Sequence, residues 1–330
     1  MKRNRSWIRS TVIVLLVMLS TACAANNTEP NAAKENAGGT ATNAGAAEKE
    51  ERVFSSLKGD ITIPADPQRV IGLSVVYPEF LYALGVTPVA VQNYHDDFPS
   101  YLQEAFKDTL KMGIAQTPDF EAILDSQPDL IIAPTWWADK DYDQLSKIAP
   151  TVLLPQRDNW RDELKDISEV LGKQDQAELV IQDLQTKEKE AKAKLRSIIG
   201  DETVLYMMVM DKEIVIYGVN SDRGIFIHKS LGLQPIEDFP QTELSLSISL
   251  EKIPEYNPDH LILQLDDESS EAVQNRYKEM VNSSLWKNMT AVKNDHVYVV
   301  GGKEWFSLGM SPLADTYAID DIVKAFESKK

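Results

Sequence analysis

The side chains that do chemistry are sparse in this chain and fall in no catalytic pattern. His95, His228, His260 and His296 are scattered, and no two stand at the i, i+4 spacing that sets paired imidazoles on one helix face. A zinc or manganese cage wants several such ligands together, so no metal site built from the protein is expected. Cys23 is the only cysteine, which excludes a disulfide framework and any cysteine-based metal or catalytic site. Ser74 and Ser307 lie outside a G-x-S-x-G elbow, and neither a P-loop nor a G-x-G-x-x-G fingerprint occurs. Nothing nominates a nucleophile with its base. No catalytic residue and no cofactor is expected.

What the sequence places at recurrent positions is aromatic and cationic residues just beyond apolar runs that read as strands. Tyr77 follows the run at 70–73, Tyr94 that at 89–91, Trp136 and Trp137 the run from 130, and Arg157 that at 151–154. In the second half Arg223 follows Tyr217 within a loop of Gly, Asn and Ser, and Trp305 with Phe306 follows the run at 297–300. Open α/β sheets bind ligands at the carboxyl ends of their strands. Any one Trp could as well plug the end of a lobe, and any one Arg lie on the surface. Drawn from both halves, however, they line one cleft if the halves face each other. Such a cleft suits a bulky, partly apolar, anionic or electron-rich ligand.

The elements that must position these residues alternate. A hairpin over 54–63 leads to strands at 70–73, 89–91, from 130 and at 151–154. Helices opened by Pro78, near 120–124 and near 142–148 come between them. In the second half strands near 204–209, 214–217, 261–265 and 297–300 alternate with helices near 225–231, 271–281 and 312–326. The alternation predicts an α/β fold of two Rossmann-like lobes with mainly parallel sheets. One long amphipathic stretch separates them. Ala177, Ile181, Leu184, Ala191, Leu195 and Ile198 recur at steps of four and three, interrupted only by Glu188. Asp175 with Glu178 reads as a capping box, and Gly200 as the stop. About 24 helical residues span roughly 36 Å, enough for a single bridge between lobes.

Similar sequence flanks that bridge. Glu121, Ile123, Pro128 and Asp129 before an apolar run recur as Glu251, Ile253, Pro258 and Asp259, each offset by 130 residues. L-G-x-x-P recurs as well, at Leu84–Pro88 and Leu231–Pro235. Both pairs stand in the same order on the two sides, which favours duplication.

The chain opens with Lys2, Arg3, Arg5 and Arg9, an apolar run too short to span a bilayer, and small residues before Cys23. This pattern reads as a secretory signal over 1–22. Residues 24–51 carry no large apolar side chain and read as a flexible tether, its ends on the order of 30 Å apart. Removing 1–22 takes away four basic residues and no acids, so the formal net charge moves from −17 to −21. An acidic body argues against nucleic-acid partners and against electrostatic adhesion to anionic lipid. The expected organisation is 1–22 signal, 23–51 tether, 52–172 first lobe, 173–200 bridging helix and 201–330 second lobe.

From 70 to 326 the chain resembles the substrate-binding lipoproteins of bacterial ABC importers for ferric siderophores, haem and cobalamin. The matching stretches are ADPQRVIGL, EFLYALGVTPVAV, FEAILDSQPDLII, LSKIAPTV, SLEKIPEYNPDHLIL, VYVVGGKEWF and SPLADTYAIDDIV, in order. The ending at Cys23 is similar to the lipobox of such lipoproteins, although Ser20 stands where the family prefers Leu. The resemblance implies ligand held between two lobes, and a Cys23-linked lipid as the only membrane attachment, at the outer face of the cytoplasmic membrane. It implies that Glu121 and Glu251 dock on permease subunits of the importer. Tyr94 and Trp305 fall where cobalamin binders place aromatics, but Ser307-Leu308-Gly309 replace the charged contacts that follow there. Arg157 and Arg223 beside Trp and Tyr are closer to the siderophore branch, in which the chelator wraps the iron. A ferric siderophore is therefore expected, with a monomeric protein. Haem or cobalamin, or a cell-surface enzyme or adhesin on the same scaffold, is the alternative.

Overall fold

Strands buried on both faces read as unbroken apolar runs, and each half of the chain is built around such strands. The computed structural model describes residues 50–115, 117–237 and 239–329. The expected signal, Cys23 and nearly all of the tether lie outside these residues. A hairpin, β1 (Glu51–Ser56) with β2 (Gly59–Pro64), comes first, its turn closed by Gly59 at φ 99°. The first sheet has the order β5-β4-β3-β6-β7 and is parallel throughout. Its strands are β3 (Val70–Gly72), β4 (Ala90–Val91), β5 (Leu110–Lys111), β6 (Leu130–Pro134) and β7 (Thr151–Leu154).

The second sheet has the order β10-β9-β8-β11-β12, from β8 (Val204–Val209), β9 (Ile214–Tyr217), β10 (Ser245–Ile248), β11 (His260–Leu265) and β12 (Val297–Gly301). Here β8, β11 and β12 are parallel, but β9 runs antiparallel to β8, and β10 antiparallel to β9. The expectation of mainly parallel strands holds for one sheet and is only half met in the other. The reason is the short link from β8 to β9. Met210 N–H donates to Glu213 O at 2.9 Å, closing a hairpin too short to hold a crossover helix.

The repeated Pro-Asp has one job in both halves. The Asp129 carboxylate accepts the backbone N–H groups of Gln68 and Arg69 at 3.0 and 2.8 Å, just before β3. The Asp259 carboxylate accepts the N–H and hydroxyl of Thr203, both at 2.8 Å, just before β8. Each acid thus fixes the entry of the neighbouring strand to its own. The two L-G repeats also correspond, with Gly85 and Gly232 at φ 75° and 66°.

The bridging helix spans Gln174–Ile199, and Gly200 ends it at φ 61°. Its start differs from the expected capping box. Lys173 occupies the cap position with no side-chain bond, and Glu178 instead accepts from Gln182 Nε2. The cause is the preceding helix Trp160–Leu171, which ends at Gly172 (φ 68°) only two residues earlier. Its signals, Asn159 as a cap accepting Asp162 N–H and Gly172 as a stop, were present in the sequence. The buried seam runs Ala177, Ile181, Leu184, Glu188, Ala191, Leu195 and Ile199. Glu188 does not break it, because Arg161 donates to its carboxylate at 2.7 Å.

The bridge is not a bare strut. The C-terminal helix Pro312–Ser328 packs along it and also touches the helix Tyr77–Ala83 of the first half. One apolar core accordingly runs from Val70, Phe80 and Leu130 through Leu184 and Leu195 to Val204, Tyr206 and Ile322. Two further polar links fix this junction. Trp160 Nε1 donates to buried Asp315 at 3.2 Å, and the Ser311 hydroxyl donates to buried Glu79.

Candidate functional site

The carboxyl ends of the two sheets meet across a cleft, and one wall of it is made by direct contact between the halves. The loop after β4 carries Tyr94 and His95. The Tyr94 hydroxyl bonds to Asp266 Oδ2 at 3.0 Å, and His95 Nε2 lies 2.8 Å from Asp266 O, just past β11. The Tyr94 ring stacks on Phe306 with centroids 4.8 Å apart and planes at 17°, while His95 meets Phe306 edge-on at 5.4 Å. Beside them Glu304 accepts the N–H and hydroxyl of Ser100 at 2.9 and 3.0 Å. Phe306 reaches this wall because Gly302, after β12, runs against the Asp266 carbonyl, where a Cβ would collide with backbone.

Tyr94 remains 44% exposed and Trp136 65%, so both rings are open to solvent. Trp136 sits on a single helical turn, Thr135–Ala138, that follows β6, and Trp137 turns back to pack against the core of the first sheet. Arg157 is directed to Asp166 by a two-pronged ion pair at 2.6 and 2.8 Å. Three expected contacts are placed differently. Trp305 is 0% exposed and donates its indole N–H to Asp321 at 3.1 Å, beneath the C-terminal helix. Its neighbour Phe306 takes the aromatic role at this strand end. Tyr77 is the first residue of its helix and is 1% exposed, its ring in the shared core and its hydroxyl bonded to Glu163 at 2.9 Å. Arg223 is sunk behind the wall. Its guanidinium lies 5.0 Å from the Tyr217 ring centroid and donates to Phe306 O at 2.6 Å, so it props the Phe306 loop.

The electrostatics follow from this arrangement. Burial pushes the Glu163 carboxyl above its usual range against the favourable Tyr77 hydroxyl, and Asp166 and Asp222 push the same way. Burial likewise raises Asp222 and Asp266. The Tyr94 hydroxyl is pushed up to about 12, first by burial and then by the Asp266 charge. Among the described residues, the two arginines at this cleft are held by a carboxylate and by a backbone carbonyl. Lys303 lines the same pocket as Tyr94 and Phe306, its ammonium 4.0 Å from Glu304. Sequence reasoning missed His95 and Asp266, and placed Phe306 at its strand end only as the neighbour of Trp305. The signal for Asp266 was its place directly after a buried strand, ahead of Asp267 and Glu268.

Glu121 and Glu251 both lie exposed in the first turn of short helical segments, Phe120–Asp125 and Leu250–Glu255, each preceding a buried strand. Asp119, two residues before Glu121, does the capping in the first by accepting Ala122 N–H at 3.0 Å. Glu251 is held below the ordinary range by the Ser249 hydroxyl and its own backbone N–H.

Residues 70–303 match the family model described as periplasmic binding protein. The chain is 30% identical over 333 residues to a probable siderophore-binding lipoprotein, YfiY, of Bacillus subtilis, covering 97% of each. It is 30% identical over 292 residues to the iron(3+)-hydroxamate-binding protein FhuD of the same organism, covering 86% of this chain and 87% of that protein. Among solved structures, Staphylococcus aureus SirA complexed with staphyloferrin B superposes with a TM-score of 0.70 at 26% identity, over 84% of this chain and 98% of that one.

Proposed function

The chain belongs to the periplasmic-binding-protein family, and from that premise we propose that it captures a ferric siderophore outside the cytoplasm and delivers it to the permease of an ABC importer. The observation that carries this reading is the Tyr94–Phe306 stack, which joins the halves at their strand ends, with Trp136 exposed after β6 of the first sheet. Relatives named for siderophore and iron(3+)-hydroxamate binding support it. The iron arrives already chelated, so the protein recognises the outer face of the complex with aromatic planes and hydrogen-bonding groups. Family members are binding proteins, and this chain binds without transforming its ligand. It acts as a monomer.

The charge of the cleft narrows the ligand. A catecholate or citrate-type complex with net negative charge would meet Asp266 beside Tyr94 with Arg157 and Arg223 already engaged, leaving Lys303, 4.0 Å from Glu304, as the cation on that wall. A neutral or cationic chelate, such as a ferric trishydroxamate, meets no such repulsion. Cys23 anchors the protein by lipid at the outer face of the cytoplasmic membrane, and Glu121 and Glu251 meet the permease. Because one apolar core crosses the junction, closure around the ligand is small.

Titrating ferric hydroxamates, ferric citrate, a ferric catecholate, haem and cobalamin against tryptophan fluorescence tests the reading. A ferric hydroxamate should bind tightest, and quenching of tryptophan fluorescence by the coloured iron chelate reads out its binding. Binding only of haem or cobalamin would overturn the siderophore assignment, and preference for a highly anionic chelate would overturn the charge argument.

A further inference from the structure

At the amino-terminal edge of the second sheet, away from the cleft, three chemistry-bearing side chains meet. Glu202 precedes β8, His260 opens β11 and His296 precedes β12, with β11 paired between the other two. The register sets them side by side, His260 opposite Val204 and Leu261 opposite Val297. One ligand atom from each residue lies within 4.8 Å of the others. The imidazoles of His260 and His296 lie face to face, centroids 4.3 Å apart and planes at 7°. His260 Nε2 is 2.6 Å from Glu202 Oε2.

The far side of each ring is already tied down. His296 Nδ1 lies 3.2 Å from Asp259 O. A carbonyl only accepts, so Nδ1 carries the proton and Nε2 keeps its lone pair. His260 Nδ1 lies 3.1 Å from the Tyr298 hydroxyl, which can accept a proton from it as well as donate one. Metal-binding imidazoles are oriented this way, with the second nitrogen bonded to an oxygen outside the ligand set. Phe326 backs the site, 5.2 Å from the His260 ring and 4.2 Å from Tyr298. The His260 side chain is 4% exposed but that of Glu202 is 52%, so the site opens to solvent on the carboxylate side.

We propose that Glu202, His260 and His296 bind a single divalent transition-metal ion, with zinc the best match to two imidazole nitrogens, one carboxylate oxygen and a water in the fourth position. Bonds of roughly 2.0–2.2 Å require the stacked rings to tilt so that their Nε2 atoms close to about 3.3 Å and both lone pairs converge on the ion. The ion replaces the Glu202–His260 hydrogen bond. The His260 proton then resides on Nδ1 and is donated to Tyr298. Such an ion ties three strands together at the edge remote from the cleft, so it acts on the stability of the second half and is independent of the siderophore reading.

The test is titration of the untagged chain with Zn²⁺ against a chromophoric chelator, followed by thermal unfolding with and without the ion. One ion per chain and a raised unfolding midpoint are expected. Tyr298→Phe should weaken binding about 10–100-fold, as loss of an outer partner does, and His296→Ala or Glu202→Gln by more. Glu202→Gln is a surface change that keeps the shape of the side chain, so it reads metal affinity even if His296→Ala unfolds. Hard Mg²⁺ should not compete, because nitrogen ligands select against it. Absence of micromolar zinc binding, or Glu202→Gln binding as tightly as the unaltered chain, would overturn the proposal. So would anomalous scattering that places zinc elsewhere.

Discussion

Trp136 and Trp305 each stand a few residues beyond a parallel strand, Trp136 after the inner strand β6 and Trp305 after the edge strand β12, yet one is 65% exposed and the other 0%. The difference lies in what packs above them. Trp305 is covered by the helix Pro312–Ser328, which also supplies Asp321 for its indole N–H. Trp136 sits in the first turn after β6, Thr135–Ala138, with its ring exposed. The two halves therefore divide the labour of the cleft. The first half contributes the exposed rings of Tyr94 and Trp136, and the second contributes Asp266, Phe306 and half-buried Arg223 behind it. A duplicated frame need not give duplicated surfaces.

The sharpest way to break this contrast is to remove each indole. Trp305→Ala should cost about 3–5 kcal/mol of stability in denaturant unfolding, as loss of a fully buried aromatic does. Trp136→Ala should change stability by no more than about 0.5 kcal/mol but weaken ligand binding by roughly 1–2 kcal/mol. Equal destabilisation by the two changes would end the distinction.

The shared frame offers the opposite test, of sameness. Asp129→Ala and Asp259→Ala each strip a charged acceptor from the residue that enters a central strand. Each should cost about 1.5–3 kcal/mol, and by similar amounts. If only one variant is destabilised in urea, the two acids are not equivalent.

A smaller effect is expected where the halves join. Burial raises Glu79 above its ordinary 4.5, outweighing the hydroxyls of Ser311 and Tyr101. The folded chain then holds this proton more tightly than the unfolded one. The stability it contributes is full below about pH 4.5 and is lost as pH rises through the raised value. Glu79→Gln cannot ionise, so its unfolding midpoint should fall less steeply above that pH. An unchanged slope would show that Glu79 does not carry it. Buried Asp315, also raised by burial, leaves part of the slope in the variant.

The smallest effect on the purified protein should come from Glu121→Ala combined with Glu251→Ala. Both carboxylates lie outside the cleft, so ligand affinity should be unchanged while uptake through the permease is lost. A large fall in affinity would place them in the site instead.

Much of the frame was legible in the sequence because it is written in local periodicity. Apolar runs such as 204–209 and 260–265 bury both faces wherever they lie, and the seam from Ala177 to Leu195 can only be one helix. Gly85, Gly200 and Gly232 mark backbone turns that few other residues adopt. The repeated Pro-Asp predicted equivalent halves, and both acids fix a neighbouring strand. Other features were decided only when distant segments packed. The direction of β9 followed from a short link, and the burial of Trp305 from a helix that comes after it in the chain. The inward turn of Arg223 depended on a carbonyl 83 residues away. His260 and His296, with nothing in their spacing to join them, became neighbours because β11 and β12 pair in parallel. Periodicity records which face of an element is buried; which side chains then meet depends on the elements that cover that face, and their identity is not a local property of the chain.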